Sequence, residues 1–440
     1  MSSDDNIVFY AEAGGTLRGR VRVPGDKSIS HRSIMFGALA DGVTEVSGFL
    51  EGEDCLATIG AFRAMGVRID GPDHGRVTVH GVGLHGLREP SGPLYMGNSG
   101  TSMRLLAGLL AGQAFDVVMT GDASLTRRPM KRVADPLRKM GALIETSPSG
   151  TPPLRITGKQ NLQGLVYAMP MASAQVKSSL LLAGLYAQGQ TCVTEPAPTR
   201  DHTERMLAGF GYAVEREGCT VCVEGGGHLH AANIDVPADI SSAAFFMVGA
   251  AIAPGSDLTL EHVGVNPTRI GVVNILKAMG ADITLGNERR VGGEPVADIR
   301  VRASSRLRGI RIPQDQVPLA IDEFPALFIA AACAEGETVL TGAEELRVKE
   351  SDRIHVMADG LLALGIDAKP TPDGMVIHGG ALQGGRINSH GDHRIAMAFA
   401  MAALRAGGPV MIEDCANVRT SFPDFLSLAR AAGLQVKQVS

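Results

Sequence analysis

Residues 23–42, VPGDKSISHRSIMFGALADG, join a short charged segment to an apolar segment rich in alanine, glycine and methionine. A helix with small and apolar residues on most of its sides is typical of a helix buried on most of its sides. Lys27 and Ser28 are expected at the N-cap, and Arg32, four residues past Ser28, shares its face. The segment alone fits a capped, exposed helix start and an anion-binding site equally well.

The same pattern, a polar start followed by an apolar helix that ends near glycine, occurs six times. The copies begin about 70 residues apart, at Gly25, Gly97, Met171, Ala238, Ile321 and Gly391. Each copy continues into a strand-like run and a second helix that closes on a glycine turn. Six βαβαββ modules predict a mixed α/β (α+β) fold of two domains with three modules each, divided near 233–240. The first helices should be buried and parallel.

Composition and charge narrow the function classes. The chain has 440 residues, 45% of them hydrophobic and 20% charged, which predicts a globular protein with more than one core. A net charge of −5 argues against nucleic acid or an anionic membrane as the main partner. The N-terminus lacks the features of a signal peptide, and the longest apolar run, from Ala243, is too short to span a bilayer. We therefore expect a cytoplasmic protein.

Polar and charged residues gather at the other helix starts as well. Gly100 allows a close backbone approach to a ligand, and Pro129, directly after Arg128, favours a held guanidinium. The remaining candidates are Ser173, Gln175, Arg200, Asp322, Lys349, Glu350, Arg353 and Arg394. Each one alone is explained by helix capping or by a solvated charge. Together they predict a cleft that binds a multiply anionic small molecule, with carboxylates for proton transfer.

Two shorter motifs are rejected as sites. GVGLHG, residues 81–86, matches a dinucleotide-binding pattern, but Pro90 and Pro93 exclude the helix that such a site needs. Cys219 and Cys222 have the spacing of metal ligands without a second pair, so ordinary packing is expected for both. Six cysteines in a chain of this length do not indicate a disulfide framework.

Five motifs resemble the 3-phosphoshikimate 1-carboxyvinyltransferase (EPSP synthase) family: PGDKSISHR, GNSGTSMRLLAGLL, GDASLTRRPM, RVKESDR and GDHRIAMAF. They occur in order along the chain, and GDASLTRRPM resembles the class II branch. The resemblance implies an inside-out α/β barrel architecture (EPT/RTPC-like), with a domain of 24–238 inserted into a discontinuous domain of 1–23 plus 239–440. It places the active site in the interdomain cleft.

The resemblance also implies a reaction. The enolpyruvyl group of phosphoenolpyruvate is transferred to the 5-hydroxyl of shikimate 3-phosphate by addition and elimination, as the sixth step of the shikimate pathway to chorismate. No metal or organic cofactor is expected, and the enzyme is expected to be a monomer. Among the catalytic residues, Asp322 matches the acceptor of the 5-hydroxyl proton and Glu350 the candidate proton donor to the methylene carbon, with Lys27 beside both substrates.

Binding residues are carried over motif by motif. For shikimate 3-phosphate they are Lys27, Ser28, Arg32, Ser173, Ala174, Gln175, Arg200, Asp322 and Lys349. For phosphoenolpyruvate they are Lys27, Gly100, Arg128, Gln175, Arg353 and Arg394. No role is assigned to Asp26 and His31 beyond helix capping.

Two positions depart from the family patterns. Thr420 stands where class I members carry lysine, so no ligand contact is assigned to it. Position 100 is glycine where glyphosate-tolerant class II members carry alanine, so we hypothesise that glyphosate enters the phosphoenolpyruvate site.

Two alternative functions remain. UDP-N-acetylglucosamine enolpyruvyl transferases share the architecture but use a loop cysteine, which residues 121–132 lack. An anion-binding scaffold explains the basic residues but not the pairing of Asp322 with Glu350.

Overall fold

The computed structural model describes residues 7–304 and 306–439, which contain 12 α-helices, four 3-10 helices and 23 strands. The α-helices are α1 Lys27–Leu39, α2 Glu53–Ala64, α3 Gly100–Ala111, α4 Lys131–Lys139, α5 Ala174–Gly184, α6 His202–Gly209, α7 Ile240–Ile252, α8 Gly271–Ala278, α9 Phe324–Ala332, α10 Arg353–Ala363, α11 His393–Ala402 and α12 Phe425–Ala432. The 3-10 helices are Leu125–Arg127, Gln314–Gln316, Glu344–Val348 and Ala416–Thr420.

The strands are short, and most have three to five residues. They are β1 Val8–Ala11, β2 Arg18–Val21, β3 Val43–Ser47, β4 Arg68–Asp73, β5 Arg76–His80, β6 Leu94–Tyr95, β7 Val117–Thr120, β8 Leu143–Glu145, β9 Leu154–Thr157, β10 Val166–Ala168, β11 Gln190–Thr194, β12 Glu215–Glu217, β13 Thr220–Glu224, β14 Ile234–Asp235, β15 Asp257–Gly264, β16 Asp282–Val291, β17 Glu294–Arg302, β18 Glu337–Leu340, β19 Asp367–Thr371, β20 Gly374–His378, β21 Gly385–Asn388, β22 Val410–Glu413 and β23 Val436–Val439.

The chain forms two compact units. The inserted unit comprises Gly25–Val236 together with Val291–Glu294. The discontinuous unit comprises the chain up to Pro24, Pro237–Arg290, and the chain from Pro295 onward. Each unit has an apolar core of its own. No helix within the described residues is both long and apolar enough to cross a membrane.

Both units repeat one small sheet. The inserted unit has the strand orders β14-β3-β5-β4, β6-β7-β9-β8 and β10-β11-β13-β12, and the discontinuous unit has β16-β17-β15-β2, β18-β20-β19 and β21-β22-β1-β23. In every sheet of the inserted unit the first pair is parallel and the next two are antiparallel, as in a βαβαββ module. In the discontinuous unit the N-terminal strand β1 pairs with β22 and β23, so distant parts of the chain complete one module. The prediction of a mixed α/β fold is confirmed.

The first helix of each module lies in a core, as its composition predicts. All 13 residues of α7 are buried, and α7, α9 and α11 pack against one another. In the inserted unit α3 packs closely on α5. A Cβ atom added to Gly108 on α3 would lie only 1.9 Å from the backbone oxygen of Ser179 on α5, so glycine permits this close approach. The second helices bury one face only, as Phe425, Ala429 and Ala432 of α12 illustrate.

Glycine ends the second helices as predicted, but not all of the first ones. The glycines that follow the second helices all have positive φ, and they are Gly66, Gly141, Gly211, Gly280, Gly365 and Gly433. Gly112, at the end of α3, has a φ of −88° and is not left-handed, so that prediction is wrong there. Packing explains the residue instead, because an added Cβ would lie 2.3 Å from the Tyr186 ring.

Two predictions about helix capping are also wrong. The N-cap of α1 is Asp26, whose carboxylate accepts a hydrogen bond from the Ile29 amide at 2.9 Å, so Lys27 and Ser28 already belong to the helix. Capping is therefore right for Asp26. His31 does not cap the helix, since it is fully buried and its Nδ1 lies 2.8 Å from Thr58 Oγ1.

The cysteines require a correction as well. Cys222 was expected to pack as an ordinary side chain, but it forms a disulfide with Cys192. These residues are direct partners across the antiparallel pair β11 and β13. The spacing of Cys219 and Cys222 therefore has no bearing on the pairing, which depends on strand register. Cys219 is a free, exposed thiol.

Candidate active site

The start of α1 presents a lysine held by a buried acid. Lys27 is the first residue of the helix, and its Nζ lies 2.6 Å from Asp54 Oδ2 on α2. The side chain of Asp54 is only 7% exposed, so the ammonium is fixed in place by a largely desolvated partner. Ser28 follows Lys27 and is half-buried. This arrangement leaves a cation at the positive end of a buried helix, which suits an anionic ligand.

Arg32 lies one turn further along α1 and joins three helices. Its Nη1 donates to the backbone oxygen of Ser28 at 2.9 Å, its Nε to Thr203 Oγ1 on α6 at 2.7 Å, and its Nη2 to Ser178 Oγ on α5 at 3.0 Å. The pKa of Arg32 is lowered to about 10, chiefly by burial; the charge of Arg200 acts in the same direction, and nearby carboxylates act in the opposite one. The predicted shared face of Ser28 and Arg32 is confirmed.

A hydroxyl chain connects α1 with the start of α3. Ser102 Oγ lies 2.8 Å from Thr58 Oγ1, and the same Thr58 oxygen lies 2.8 Å from His31 Nδ1. Ser102 Oγ donates to Ser99 Oγ, the N-cap of α3, at 2.7 Å. Burial lowers the pKa of His31 well below its ordinary value, and the charges of Lys27 and Arg32 act in the same direction. The imidazole is therefore neutral in the folded protein.

The start of α3 brings Gly100 and Arg128 together. A Cβ atom added to Gly100 would lie 3.1 Å from Arg128 Nη1. Arg128 is held by hydrogen bonds from its Nη2 to Asn98 Oδ1 at 2.7 Å and to Ser124 Oγ at 3.3 Å. It is buried, whereas its neighbour Arg127 is exposed. The held guanidinium predicted from the position of Pro129 is confirmed.

Sequence reasoning missed Arg104, which belongs to the same group. Its Nη1 lies 3.2 Å from the Cβ position of Gly100 and donates to Gln175 Oε1 at 2.6 Å. Gln175 Nε2 in turn donates to Thr101 Oγ1 at 3.1 Å. Arg104 is four residues after Gly100, and this helical spacing was the signal that could have identified it. Gln175 thus joins the starts of α3 and α5.

The remaining candidates of the inserted unit lie at the starts of α5 and α6. Ser173 is the N-cap of α5, where its hydroxyl accepts from the Val176 amide at 3.4 Å. Ala174 is the first residue of that helix, and Arg200 is half-buried two residues before α6. The bonds of Arg32 and Gln175 therefore bring the starts of α1, α3 and α5 together within the inserted unit.

In the discontinuous unit, Asp322 forms a second group of site candidates. Its Oδ1 lies 3.4 Å from Lys349 Nζ and 3.3 Å from Arg353 Nη1. Its backbone oxygen accepts a hydrogen bond from Arg394 Nη1 at 2.9 Å. Glu350 Oε2 lies 2.5 Å from Arg353 Nη2. The five candidates of this unit are therefore neighbours.

Arg353 is the centre of this group. Its side chain is 1% exposed, and its Nε donates to Asp392 Oδ2, the N-cap of α11, at 2.8 Å. Burial alone would lower the pKa of Arg353, but the negative charges of Asp392, Glu350 and Asp322 outweigh it and raise the pKa above its ordinary value. The guanidinium is therefore permanently charged and joins the starts of α9, α10 and α11.

A further buried group was missed by sequence reasoning. Glu323, the residue after Asp322, accepts a hydrogen bond from Ser241 Oγ at the start of α7. Arg269 Nη2 donates to the same Ser241 Oγ at 2.5 Å and to Asp239 Oδ1 at 3.1 Å. These residues support the segment that carries Asp322. No local pattern marks Arg269, because it lies far from its partners in sequence.

The two groups have different chemical capacities. The inserted unit presents Lys27 and four arginines (Arg32, Arg104, Arg128 and Arg200) at or near helix starts, an arrangement suited to phosphate and carboxylate groups. The discontinuous unit holds two carboxylates, Asp322 and Glu350, against Lys349 and Arg353, an arrangement suited to proton transfer beside an anion.

Comparisons with known proteins agree with this chemistry. The family model described as EPSP synthase (3-phosphoshikimate 1-carboxyvinyltransferase) matches residues 11–428. The 3-phosphoshikimate 1-carboxyvinyltransferases of Methylococcus capsulatus and Nitrosococcus oceani are each 71% identical to the chain, over 99% of it and over 99% and 98% of their own lengths. A solved structure of EPSP synthase from Acinetobacter baumannii is 63% identical, with a TM-score of 0.89 over 99% of this chain and 100% of that one. The chain therefore belongs to the EPSP synthase family.

Proposed function

We propose that the chain transfers the enolpyruvyl group of phosphoenolpyruvate to the 5-hydroxyl of shikimate 3-phosphate and releases phosphate. Family membership supports this reaction. The observation that carries it further is the position of Asp322 between Lys349 and Arg353, with Glu350 on the same arginine. An anion-binding scaffold needs cations at its helix starts, but it does not need two carboxylates beside them.

For shikimate 3-phosphate we propose ligands that are all anion-binding or hydrogen-bonding groups. They are Lys27, Ser28, Arg32, Ser173, Ala174, Gln175, Arg200, Asp322 and Lys349. The first turns of α1 and α5 support this choice, since backbone amides at the start of a helix favour anionic groups.

For phosphoenolpyruvate we propose Lys27, Gly100, Arg128, Gln175, Arg353 and Arg394 as ligands. The close approach of Arg128 and Arg104 to Gly100 supports the choice, because the absent side chain leaves room beside two guanidinium groups. Gathering cations around two anionic substrates lowers their mutual repulsion and holds them in position for reaction.

The chemistry then needs two proton transfers. Asp322 takes the proton of the 5-hydroxyl while the oxygen of that hydroxyl bonds to C2 of phosphoenolpyruvate. Glu350 gives a proton to the methylene carbon of phosphoenolpyruvate, which becomes a methyl group. In the second step the C2–phosphate bond breaks, the methyl group returns a proton, and the double bond forms again. Each carboxylate is beside a cation that stabilises it when it is ionised.

An assay of the phosphate that the purified full chain releases from phosphoenolpyruvate tests the proposal. With phosphoenolpyruvate, shikimate 3-phosphate should give rapid release, whereas UDP-N-acetylglucosamine and a mixture without acceptor should give none. Release with the nucleotide sugar alone would assign the chain to the related enolpyruvyl transferases, and no release with any acceptor would favour a scaffold. We also propose that the chain acts as a monomer in the cytoplasm, which predicts a single species near 46.0 kDa in size-exclusion chromatography.

A further inference from the structure

A fully buried lysine lies behind the site residues of the inserted unit. Lys177 Nζ, on α5, lies 2.7 Å from Glu195 Oε1 and 2.7 Å from Glu204 Oε1. The side chains of Lys177, Glu195 and Glu204 are 0%, 1% and 7% exposed. Burial of three charges is not an economical way to stabilise a fold, since apolar residues of similar size usually do so at least as well. The cluster therefore requires an explanation other than stability.

Glu195 connects this lysine to the segment that carries Arg200. Its second carboxylate oxygen, Oε2, accepts a hydrogen bond from the Thr199 amide at 2.9 Å and another from the Thr199 hydroxyl. Thr199 directly precedes Arg200 in the chain. One carboxylate thus joins α5 to the backbone at the base of Arg200, and Lys177 fixes the orientation of that carboxylate.

Glu204 connects the same lysine to Arg32. The residues adjacent to the ion pair in sequence, Ser178 and Thr203, are the two hydroxyls that accept hydrogen bonds from the Arg32 guanidinium. They also bond to each other, Oγ1 to Oγ, at 2.7 Å. The negative charge of Glu204 favours the charged form of Arg32, whereas the charge of Arg200 opposes it.

We propose that Lys177, Glu195 and Glu204 form a positioning cluster that holds the guanidinium groups of Arg32 and Arg200 ready for the anionic groups of shikimate 3-phosphate. The inference rests on the proposed function. Two neighbouring guanidinium groups repel each other when no anion lies between them. The cluster offsets this repulsion with buried negative charge and fixes the backbone beside Arg200, so the site is ordered before the ligand arrives.

Thr199→Val provides the sharpest test, because it removes the hydroxyl bond to Glu195 but leaves the size of the side chain almost unchanged. We expect the KM for shikimate 3-phosphate to rise about tenfold, the loss of one hydrogen bond to a charged group. The kcat and the KM for phosphoenolpyruvate should stay within about twofold. Thr199→Ser restores the hydroxyl and should recover most of the wild-type KM.

Thr191→Val is the matched control, since Thr191 is a fully buried threonine on β11 of the same unit and does not contact the cluster in the described hydrogen bonds. Its KM values should equal those of the wild type. An equal KM for shikimate 3-phosphate in Thr199→Val and Thr191→Val would overturn the inference. So would a Thr199→Val variant in which the KM values for both substrates and the kcat change together. Wild-type protein that neither binds nor turns over shikimate 3-phosphate would instead overturn the proposed function.

Glu195→Gln measures the whole cluster. The substitution keeps the size of the side chain but removes one of the two negative charges that face Lys177. We expect a larger rise in the KM for shikimate 3-phosphate than in Thr199→Val. Calorimetric titration with shikimate 3-phosphate, on protein shown to be folded by circular dichroism, checks the order. Affinity of folded Glu195→Gln equal to that of the wild type would contradict the proposal.

Discussion

The inserted and discontinuous units are built from the same module but hold their arginines in different ways. In the inserted unit, Arg32 and Arg128 donate hydrogen bonds to hydroxyl, amide and backbone oxygens. In the discontinuous unit, Arg353 donates to the carboxylates of Asp392, Glu350 and Asp322. Neutral acceptors orient a guanidinium and leave its charge available to a ligand, whereas carboxylates compensate the charge inside the protein.

This difference indicates that the arginines of the two units have different functions. In the inserted unit the Arg32 guanidinium donates its hydrogen bonds to neutral oxygens, an arrangement suited to binding an anionic substrate. In the discontinuous unit the buried Arg353 holds Asp322 and Glu350, the carboxylates that we propose for proton transfer. Four predictions test this comparison, beginning with the largest expected effect.

Asp322→Asn should lower kcat by about 10²–10⁴-fold, because the amide cannot accept the 5-hydroxyl proton. Its affinity for shikimate 3-phosphate should remain within about tenfold of the wild type, since the cations of the inserted unit are intact. Phosphate release gives kcat, and calorimetry gives the affinity. Asp315→Asn, at an exposed position, serves as the control. A variant that keeps near-wild-type kcat would make Asp322 a structural residue.

Arg353→Met should lower the free energy of unfolding by about 3–5 kcal/mol, because it leaves the buried carboxylate of Asp392 without its partner. Arg32→Met should cost less, about 1–3 kcal/mol, since the oxygens of Ser28, Ser178 and Thr203 that accept its hydrogen bonds are neutral. Urea unfolding of the two variants measures both values. Equal losses would show that the two units do not differ in the way described.

Gly100→Ala should weaken phosphoenolpyruvate binding by about 1–3 kcal/mol, since the new Cβ lies 3.1 and 3.2 Å from guanidinium nitrogens of Arg128 and Arg104. Glyphosate should inhibit the wild type and should inhibit this variant less. Inhibition constants and the KM for phosphoenolpyruvate provide the measurement. Gly60→Ala, where nothing lies within 4 Å of the added atom, should leave both unchanged. A wild type that millimolar glyphosate does not inhibit would contradict the hypothesis that glyphosate enters the phosphoenolpyruvate site.

His31, a buried imidazole of the inserted unit, should make the stability of the protein depend on pH. Because burial lowers the folded-state pKa below the unfolded value near 6.5, stability is complete above that value and falls as protons bind the unfolded chain. From pH 7 to pH 5.5 this loss amounts to about 1 kcal/mol. His31→Asn should lose that much less over this range, whereas His228→Asn, at an exposed position, should follow the wild type. Identical slopes for both variants would contradict a lowered pKa of His31 in the folded protein.

Much of the fold could be predicted from the sequence because its modules repeat. Helices such as α7 and α9 are apolar on most sides, and six regularly spaced copies of one pattern define the module order. Capping was less predictable, since Asp26 and Ser28 are both good caps and only backbone geometry decides between them.

Contacts between distant segments could not be predicted at all. The disulfide of Cys192 with Cys222 depends on strand register across 30 residues. Lys177 resembles any polar residue near a helix start until β11 and α6 bring Glu195 and Glu204 to it. The spacing from Gly100 could have placed Arg104 on the same helix face, but its bond to Gln175 on α5 could not be predicted. Local patterns identified the residues at helix starts, whereas the partners that hold them come from the tertiary fold.

Phosphorus NMR of the full chain with equal amounts of shikimate 3-phosphate and phosphoenolpyruvate tests the central claim most directly. The phosphoenolpyruvate signal should disappear while inorganic phosphate and a new phosphate monoester, the enolpyruvyl product of shikimate 3-phosphate, appear in equal amounts. An unchanged spectrum would contradict the account, and so would inorganic phosphate formed from shikimate 3-phosphate with phosphoenolpyruvate unchanged.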